Sequence, residues 1–417
     1  MKVAFVNQPT DAAKLPVQSG SIAIWTYQVA RRLAKSCDVI VYARRSPEQE
    51  KVEYDEGVEY RRVSVDSDKI LRGILKVVSK FNDEVKRPSF TSIWYHLGYG
   101  LKVANDLRSQ QCDLVHIQGF SQFVPIIRAI NPKIKIVLHL HGDRFIQLEK
   151  KMIEPRFAQA NLVLSCSDHV TNKMRSTFPA IASRFQTILN GVDINCFPEK
   201  HYDKQKENQA GKLLFIGRVS PEKGVHVLAE AFKKVVEAYP ETQLKIIGPQ
   251  VSAPIEFITF DNELMFKKLA PLYSGSYVSH LRELLPSNVE KQVVFTGNIA
   301  HSKLSQYLQE ADIFVFPSVV NEPFGIPVVE AMATGLPVVA TQSGGITETV
   351  AEGKTGLLVE RDNATALSDA IIQLLSNEEL RKSMGKAGQK RAVELFSWEQ
   401  IVEKLLARYK NMDEIGL

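Results

Sequence analysis

The sequence predicts an α/β protein built from two Rossmann-like domains, and three observations carry that reading. Short apolar runs alternate with helical patterns in the first half, at residues 2–6 (KVAFV), 38–42 (DVIVY), 113–117 (DLVHI), 133–141 (KIKIVLHLH) and 161–165 (NLVLS). The alternation begins again in the second half with KLLFI, QLKII, QVVFT, DIFVF and PVVAT. Parallel strands need a crossover connection, usually a helix, so this order predicts βαβ units. Between the halves, residues 198–211 (PEKHYDKQKENQAG) are polar and charged and read as a linker region. The chain's 417 residues, 44% of them hydrophobic, suffice for two or three domains at the usual ~100–200 residues each.

Two strand-loop-helix junctions of the second half hold the chemistry. KLLFI leads through residues 215–225 (FIGRVSPEKGV) into the helical pattern VHVLAEAFKKVV. Arg218 and Lys223 flank Pro221 there and project toward the carboxyl end of the strand, where ligands of open α/β sheets bind. A planar guanidinium fork beside a mobile ammonium suits a diphosphate better than either group alone. A solvated turn would also carry such residues.

At the second junction DIFVF reads as a buried parallel strand ended by Pro317 and Ser318. Pro327 suits the first helical position, VVEAMAT forms about two turns, and Gly335 and Pro337 stop them. Glu322 then lies on the loop and Glu330 on the helix, eight positions apart. Phe324, Gly325 and Ile326 fall where the free N–H groups of a helix start point outward, a ready site for phosphate or sugar oxygens. Carboxylates only accept hydrogen bonds, so vicinal hydroxyls of a sugar or ribose are natural partners. Alone, the two glutamates would read as a loop charge and a helix-surface charge.

A net charge of +5 is modest for this length, and there is no long basic run and no nucleic-acid motif. Cys37, Cys112, Cys166 and Cys196 show no pair at metal-ligand or redox spacing and read as reduced thiols. MKVAFVNQ is too short an apolar start for a signal peptide, and no later run reaches spanning length. The expectation is a cytoplasmic protein with room for peripheral membrane contact. An NAD-dependent reading lacks a G-x-G-x-x-G after the first strand.

The motifs together resemble glycosyltransferase family 4, retaining sugar-nucleotide-dependent enzymes of the GT-B fold, also known as glycosyl transferases group 1. GRVSPEKG matches the family's G-R-x-x-x-E-K-G signature and EPFGIPVVE its E-x7-E signature. VLHLHG at 137–142, LNGVD at 189–193, FTG at 295–297, DIFVFPS at 312–318 and SGGITETV at 343–350 follow in the family's order and extend the match over nearly the whole chain. The resemblance implies two Rossmann-like domains facing a central cleft: residues 1–195 on the acceptor side, 196–397 binding the nucleotide sugar, and a helix over 398–417 crossing back to the first domain.

Roles follow residue by residue. The resemblance gives Arg218 and Lys223 the donor diphosphate and the charge of the leaving nucleotide. Glu330 takes the ribose hydroxyls, and Glu322, with backbone groups of Phe324, Gly325 and Ile326, takes the transferred sugar. His141 matches the active-site histidine beside the donor sugar. Gly20 matches the glycine whose backbone approaches the phosphates, although QSGS stands where paired glycines are usual. Fixed cations would replace a metal, so no metal or other cofactor is expected. A front-face mechanism needs neither glutamate as a nucleophile; a double displacement through a carboxylate remains chemically conceivable. The expected donor is a UDP-sugar, UDP-glucose or a relative, ahead of GDP-mannose. The acceptor is a hydroxyl of a sugar, sugar phosphate, polysaccharide or lipid-linked saccharide, with a sucrose-phosphate-synthase-like reaction as one specific case. The rival from another class is a noncatalytic sugar-nucleotide-binding or assembly protein.

Five further features complete the reading. FSWEQIVEKLLARYKNM carries Trp398, Ile401, Leu405 and Tyr409 on one helical stripe. Residues 250–277 are longer than the loop usual in the family, and read either as a cleft-covering insertion or as a remote surface excursion. Residues 68–88 form an amphipathic pattern with a basic face, for which a solvated domain helix is favoured over a lipid-touching one. Arg44, Arg45 and Arg144 suit either an acidic acceptor or solvated loops, and the D-x-D at Asp66 and Asp68 reads as solvated.

Overall fold

The computed structural model describes residues 1–17, 20–71, 92–200, 211–252, 254–258 and 262–413. Most of the basic amphipathic pattern at 68–88, and most of the linker region at 198–211, lie outside the described residues. The chain divides into two compact units, Met1–Cys166 with Thr171–Ile188 and Ile401–Leu417, and Ser167–Val170 with Leu189–Gln400.

In the first unit, β1 (Lys2–Val6), β2 (Asp38–Arg44), β3 (Val52–Asp55), β4 (Val58–Val63), β5 (Leu114–Gln118), β6 (Lys135–Leu140), β7 (Leu162–Ser165) and β8 (Phe185–Thr187) form one sheet in the order β3-β4-β2-β1-β5-β6-β7-β8. β5 and β7 are buried along their whole length, as expected of parallel strands covered on both faces. β1 pairs with β2 on one side (Val3↔Val39) and with β5 on the other (Val3↔Leu114). Chain order reverses at that point, and the connection that leaves β1 and contains Gly20 therefore starts at a topological switch point.

Two features differ from the sequence reading. β3 pairs with β4 antiparallel, so the edge of this sheet is a hairpin; its turn residues Glu56 and Gly57 have φ of 44° and 80°, the left-handed pair a tight hairpin needs. Asp68 is not solvated but 1% exposed, because its carboxylate accepts the N–H groups of Gly98 (2.7 Å) and Tyr99 (2.9 Å) at the start of the helix Leu97–Ser109. Asp66 is exposed and pairs with Lys69. The C-terminal stripe is buried as its spacing predicts, with Trp398 4%, Ile401 0%, Leu405 0% and Tyr409 1% exposed. Tyr409 OH meets Nδ1 of His116 on β5 at 2.6 Å, so the last helix packs onto the first unit.

The second unit has an all-parallel sheet of β9 (Lys212–Ile216), β10 (Gln243–Ile247), β11 (Val293–Gly297), β12 (Ile313–Phe316), β13 (Val338–Thr341) and β14 (Gly356–Val359), ordered β11-β10-β9-β12-β13-β14. β9 pairs with β10 (Leu214↔Lys245) and with β12 (Leu214↔Phe314). Order reverses at β9, which places GRVSPEKG at the switch point beside the loop that leaves β12.

Candidate active site

The connection after β9 is a tight one. Pro221–Lys223 forms a single 3-10 turn, and Gly224, at φ 69°, starts the helix Val225–Ala238. A Cβ on Gly224 would stand 2.0 Å from the carbonyl oxygen of Pro317, so only glycine lets the two loops touch. The contact is extended by the amide of Val319, which donates to Glu222 O (3.1 Å), and Ser318 Oγ lies 3.2 Å from the same oxygen.

This closeness brings Lys223 to Glu322, ninety-nine positions apart in sequence. Lys223 Nζ lies 2.6 Å from Glu322 Oε1 with only 16% and 7% of the two side chains exposed, and Ser318 Oγ donates to the same oxygen at 2.7 Å. Lys223 Nζ is also 5.7 Å from the centre of the Phe316 ring. Arg218 pairs through Nη2 with Glu222 Oε1 at 2.9 Å, and Glu222 is 1% exposed. Arg218 itself keeps 36% of its side chain exposed and has N–H groups to spare, so the buried Glu222 anchors a cation whose fork stays open to solvent.

The helix Ile326–Ala333 starts at Gly325, whose φ is 90°; a Cβ there would meet Ile346 Cδ1 at 2.3 Å. Ile326 is the first helical residue, Pro327 follows it, and Phe324 is packed at 2% exposure, edge-on to Phe396. The SGGITETV turn is fastened to this loop by Gly345 N, which donates to Glu322 O at 2.7 Å. Glu330, 3% exposed, is held through Oε1 by His301 Nε2 at 2.6 Å, and that hydrogen bond raises the His301 pKa above 6.5. Sequence reasoning missed His301, which comes from the loop after β11 with no spacing that ties it to Glu330. Among the described residues neither glutamate's Oε2 has a protein partner, so each carboxylate has one oxygen fixed and one available to a hydroxyl.

The long segment after β10 leads to this loop. It forms helices Ile255–Ile258 and Glu263–Leu269, and its last residues reach the cation loop: Tyr273 OH donates to Glu222 Oε2 (3.0 Å), and Tyr277 OH accepts from His226 N (3.0 Å). Its end is therefore part of the Arg218 surroundings rather than a remote excursion.

In the first unit, His141 follows β6 and is half-buried. Its Nε2 lies 2.7 Å from Oε1 of Gln118, at the end of β5, and burial pushes its pKa down to about 3, so the ring is neutral at ordinary pH. Gly20 opens the helix Ser21–Leu33, with the Asp11 carboxylate against it. Arg45 Nε donates to Gln49 O, Arg44 Nε is buried without a partner, and Arg144 is exposed. Among the described residues no helix is long and apolar enough to cross a membrane.

Comparison with known proteins agrees with this geometry. The family model for glycosyl transferases group 1 matches residues 197–391, and that for Glycosyltransferase Family 4 matches residues 22–195. Spore coat protein SA of Bacillus subtilis is 27% identical over 99% of this chain and 100% of its own length. A Corynebacterium glutamicum enzyme, GDP-mannose-dependent monoacylated alpha-(1-6)-phosphatidylinositol monomannoside mannosyltransferase, is 30% identical over 65% of this chain and 68% of its own. Among solved structures, sucrose-phosphate synthase from Thermosynechococcus elongatus superposes with a TM-score of 0.70 at 21% identity, over 99% of each chain. The chain belongs to the group 1 glycosyltransferases of family 4 and has the GT-B fold.

Proposed function

We propose that this glycosyltransferase moves a hexose from a nucleoside diphosphate, UDP-linked glucose or a relative, to an acceptor hydroxyl with retention at the anomeric carbon. The observation that carries the proposal is the joined pair of loops in which Lys223, Glu322, Ser318, Glu222 and Arg218 form one network. Arg218 and Lys223 bind the diphosphate and stabilise the charge that gathers on it as the sugar leaves, in the place a metal ion takes in other transferases. Lys223 uses one of its three N–H groups on Glu322, which aims the ammonium before donor arrives. Glu322 and the backbone at 324–326 hold the transferred sugar, and Glu330 accepts from the ribose hydroxyls. A carboxylate whose Oε1 is already shared by an ammonium and a hydroxyl is a weak nucleophile, which favours Glu322 as a clamp.

The acceptor is a hydroxylated carbohydrate: a sugar, sugar phosphate, polysaccharide or lipid-linked saccharide. GDP-mannose is the rival donor, since the Corynebacterium relative is named as dependent on it. A thermal-shift panel of UDP- and GDP-sugars, followed by mass spectrometry of products from pooled acceptors, separates them. A shift with UDP-glucose and a hexose-adduct product supports the proposal; a shift with GDP-mannose alone overturns its donor.

A further inference from the structure

Behind His141 runs a chain of hydrogen bonds that no family motif includes. Thr26, in the helix that begins after Gly20, donates its only hydroxyl proton to Ile22 O at 3.1 Å. Its oxygen can then only accept, and Gln118 Nε2 donates to it at 3.1 Å. That fixes the Gln118 amide with its carbonyl oxygen toward His141, 2.7 Å from Nε2. Gln118 and Thr26 are both 0% exposed, so neither has water to satisfy the alternative orientation. The flipped amide would leave two hydrogen bonds instead of three, and 2.7 Å is a length for N–H to oxygen rather than N–H to nitrogen.

We propose that Thr26 and Gln118 are positioning residues that lock His141 as the neutral tautomer with its proton on Nε2, leaving Nδ1 to accept from a hydroxyl of the donor sugar. The second half rests on the reading of His141 as a donor-side residue. The titratable groups that face the ring are themselves buried imidazoles. His139 on β6 lies 4.2 Å away between ring centroids, tilted by 38°, and His116 lies beyond it on β5. Both are 0% exposed and held neutral by burial, so neither supplies a charge that would choose the other tautomer. Among the described residues Nδ1 of His141 has no protein partner, which leaves that nitrogen for ligand.

The test is a long-range proton–nitrogen correlation spectrum of the full chain labelled with nitrogen-15 histidine, with the His141 signals identified by their loss in His141→Gln. The lock predicts a single Nε2–H pattern at neutral pH. Thr26→Val, which no longer selects the amide orientation, and Gln118→Leu, which has no acceptor, should both add the Nδ1–H pattern, and Thr26→Ser should restore the wild-type one. Gln118→Glu places a carboxylate against Nε2–H and should raise the pH at which His141 titrates. Circular dichroism confirms folding of each variant. A protonated Nδ1 in the wild type, or an unchanged spectrum in Gln118→Leu, overturns the proposal. In transfer assays Gln118→Leu should lower kcat/KM roughly tenfold, the worth of one well-placed hydrogen bond, and add nothing to His141→Ala. If the tautomer is as predicted while His141→Ala transfers at the wild-type rate, the donor-side reading of His141 fails and the lock stands.

Discussion

A lysine and a glutamate that are both mostly out of water depend on each other before any ligand arrives. With 16% and 7% of their side chains exposed, Lys223 and Glu322 each screen a charge that would otherwise sit unpaired. Lys223→Ala should therefore destabilise the fold by about 2 kcal/mol, less than a fully buried pair because the ammonium keeps some water. Lys223→Met combined with Glu322→Gln should recover part of that loss in urea unfolding. Division of labour between the glutamates is tested by kinetics: Glu330→Ala should chiefly weaken nucleotide binding, and Glu322→Ala should chiefly lower turnover. Equal effects on both measures would undo the division. His301 supplies a pH test. Its pKa is raised by the hydrogen bond to Glu330, so the stability that this pair contributes is complete below the unfolded value of about 6.5 and is lost as pH rises through the folded one. The Tm advantage of wild type over His301→Gln, which stays neutral, should accordingly be largest below about pH 6.5 and shrink as pH rises above it. At this scale the sequence showed Arg218, Lys223, Glu322 and Glu330 because each sits in a compact motif. It hid His301, Gln118 and Tyr273, whose partners are 29, 23 and 51 positions away on other connections.

Among the elements, the ten apolar runs read as strands all appear as strands, since buried parallel strands are continuous in apolar residues and need no alternation. The ones that escaped are at sheet edges or, for β4, next to one. β3 alternates exposed with half-buried positions and β4 buried with half-buried ones, and β8 and β14 are three and four residues long, too short for periodicity to register. The segment after β10 was legible as long but not as attached, because its hydrogen bonds to the connection after β9 come from the hydroxyls of Tyr273 and Tyr277, which no spacing ties to Glu222 or His226. Tyr273→Phe tests that attachment. Losing the hydroxyl leaves Glu222, and through it Arg218, less firmly held, so donor affinity should fall roughly fivefold with the fold intact. Unchanged donor affinity would make Tyr273 a packing residue only.

For the whole molecule, two sheets each reverse strand order beside a loop that the motifs single out, Gly20 after β1 and GRVSPEKG after β9. The doubled alternation foretold two such sheets, and the family follows from models that together span residues 22–195 and 197–391. What composition could not foretell is the acceptor, because hydroxyl recognition uses a few polar side chains whose types are ordinary on any surface. On this reading fixed cations on the β9 loop drive departure of a nucleoside diphosphate. Release of UDP together with a hexose-adduct product from UDP-glucose and pooled acceptors, run side by side with wild type and folded Lys223→Ala, measures this. Wild type should give both products and the variant neither above background; equal release from the two proteins, or bound donor with no turnover in wild type, would contradict the role given to the cations.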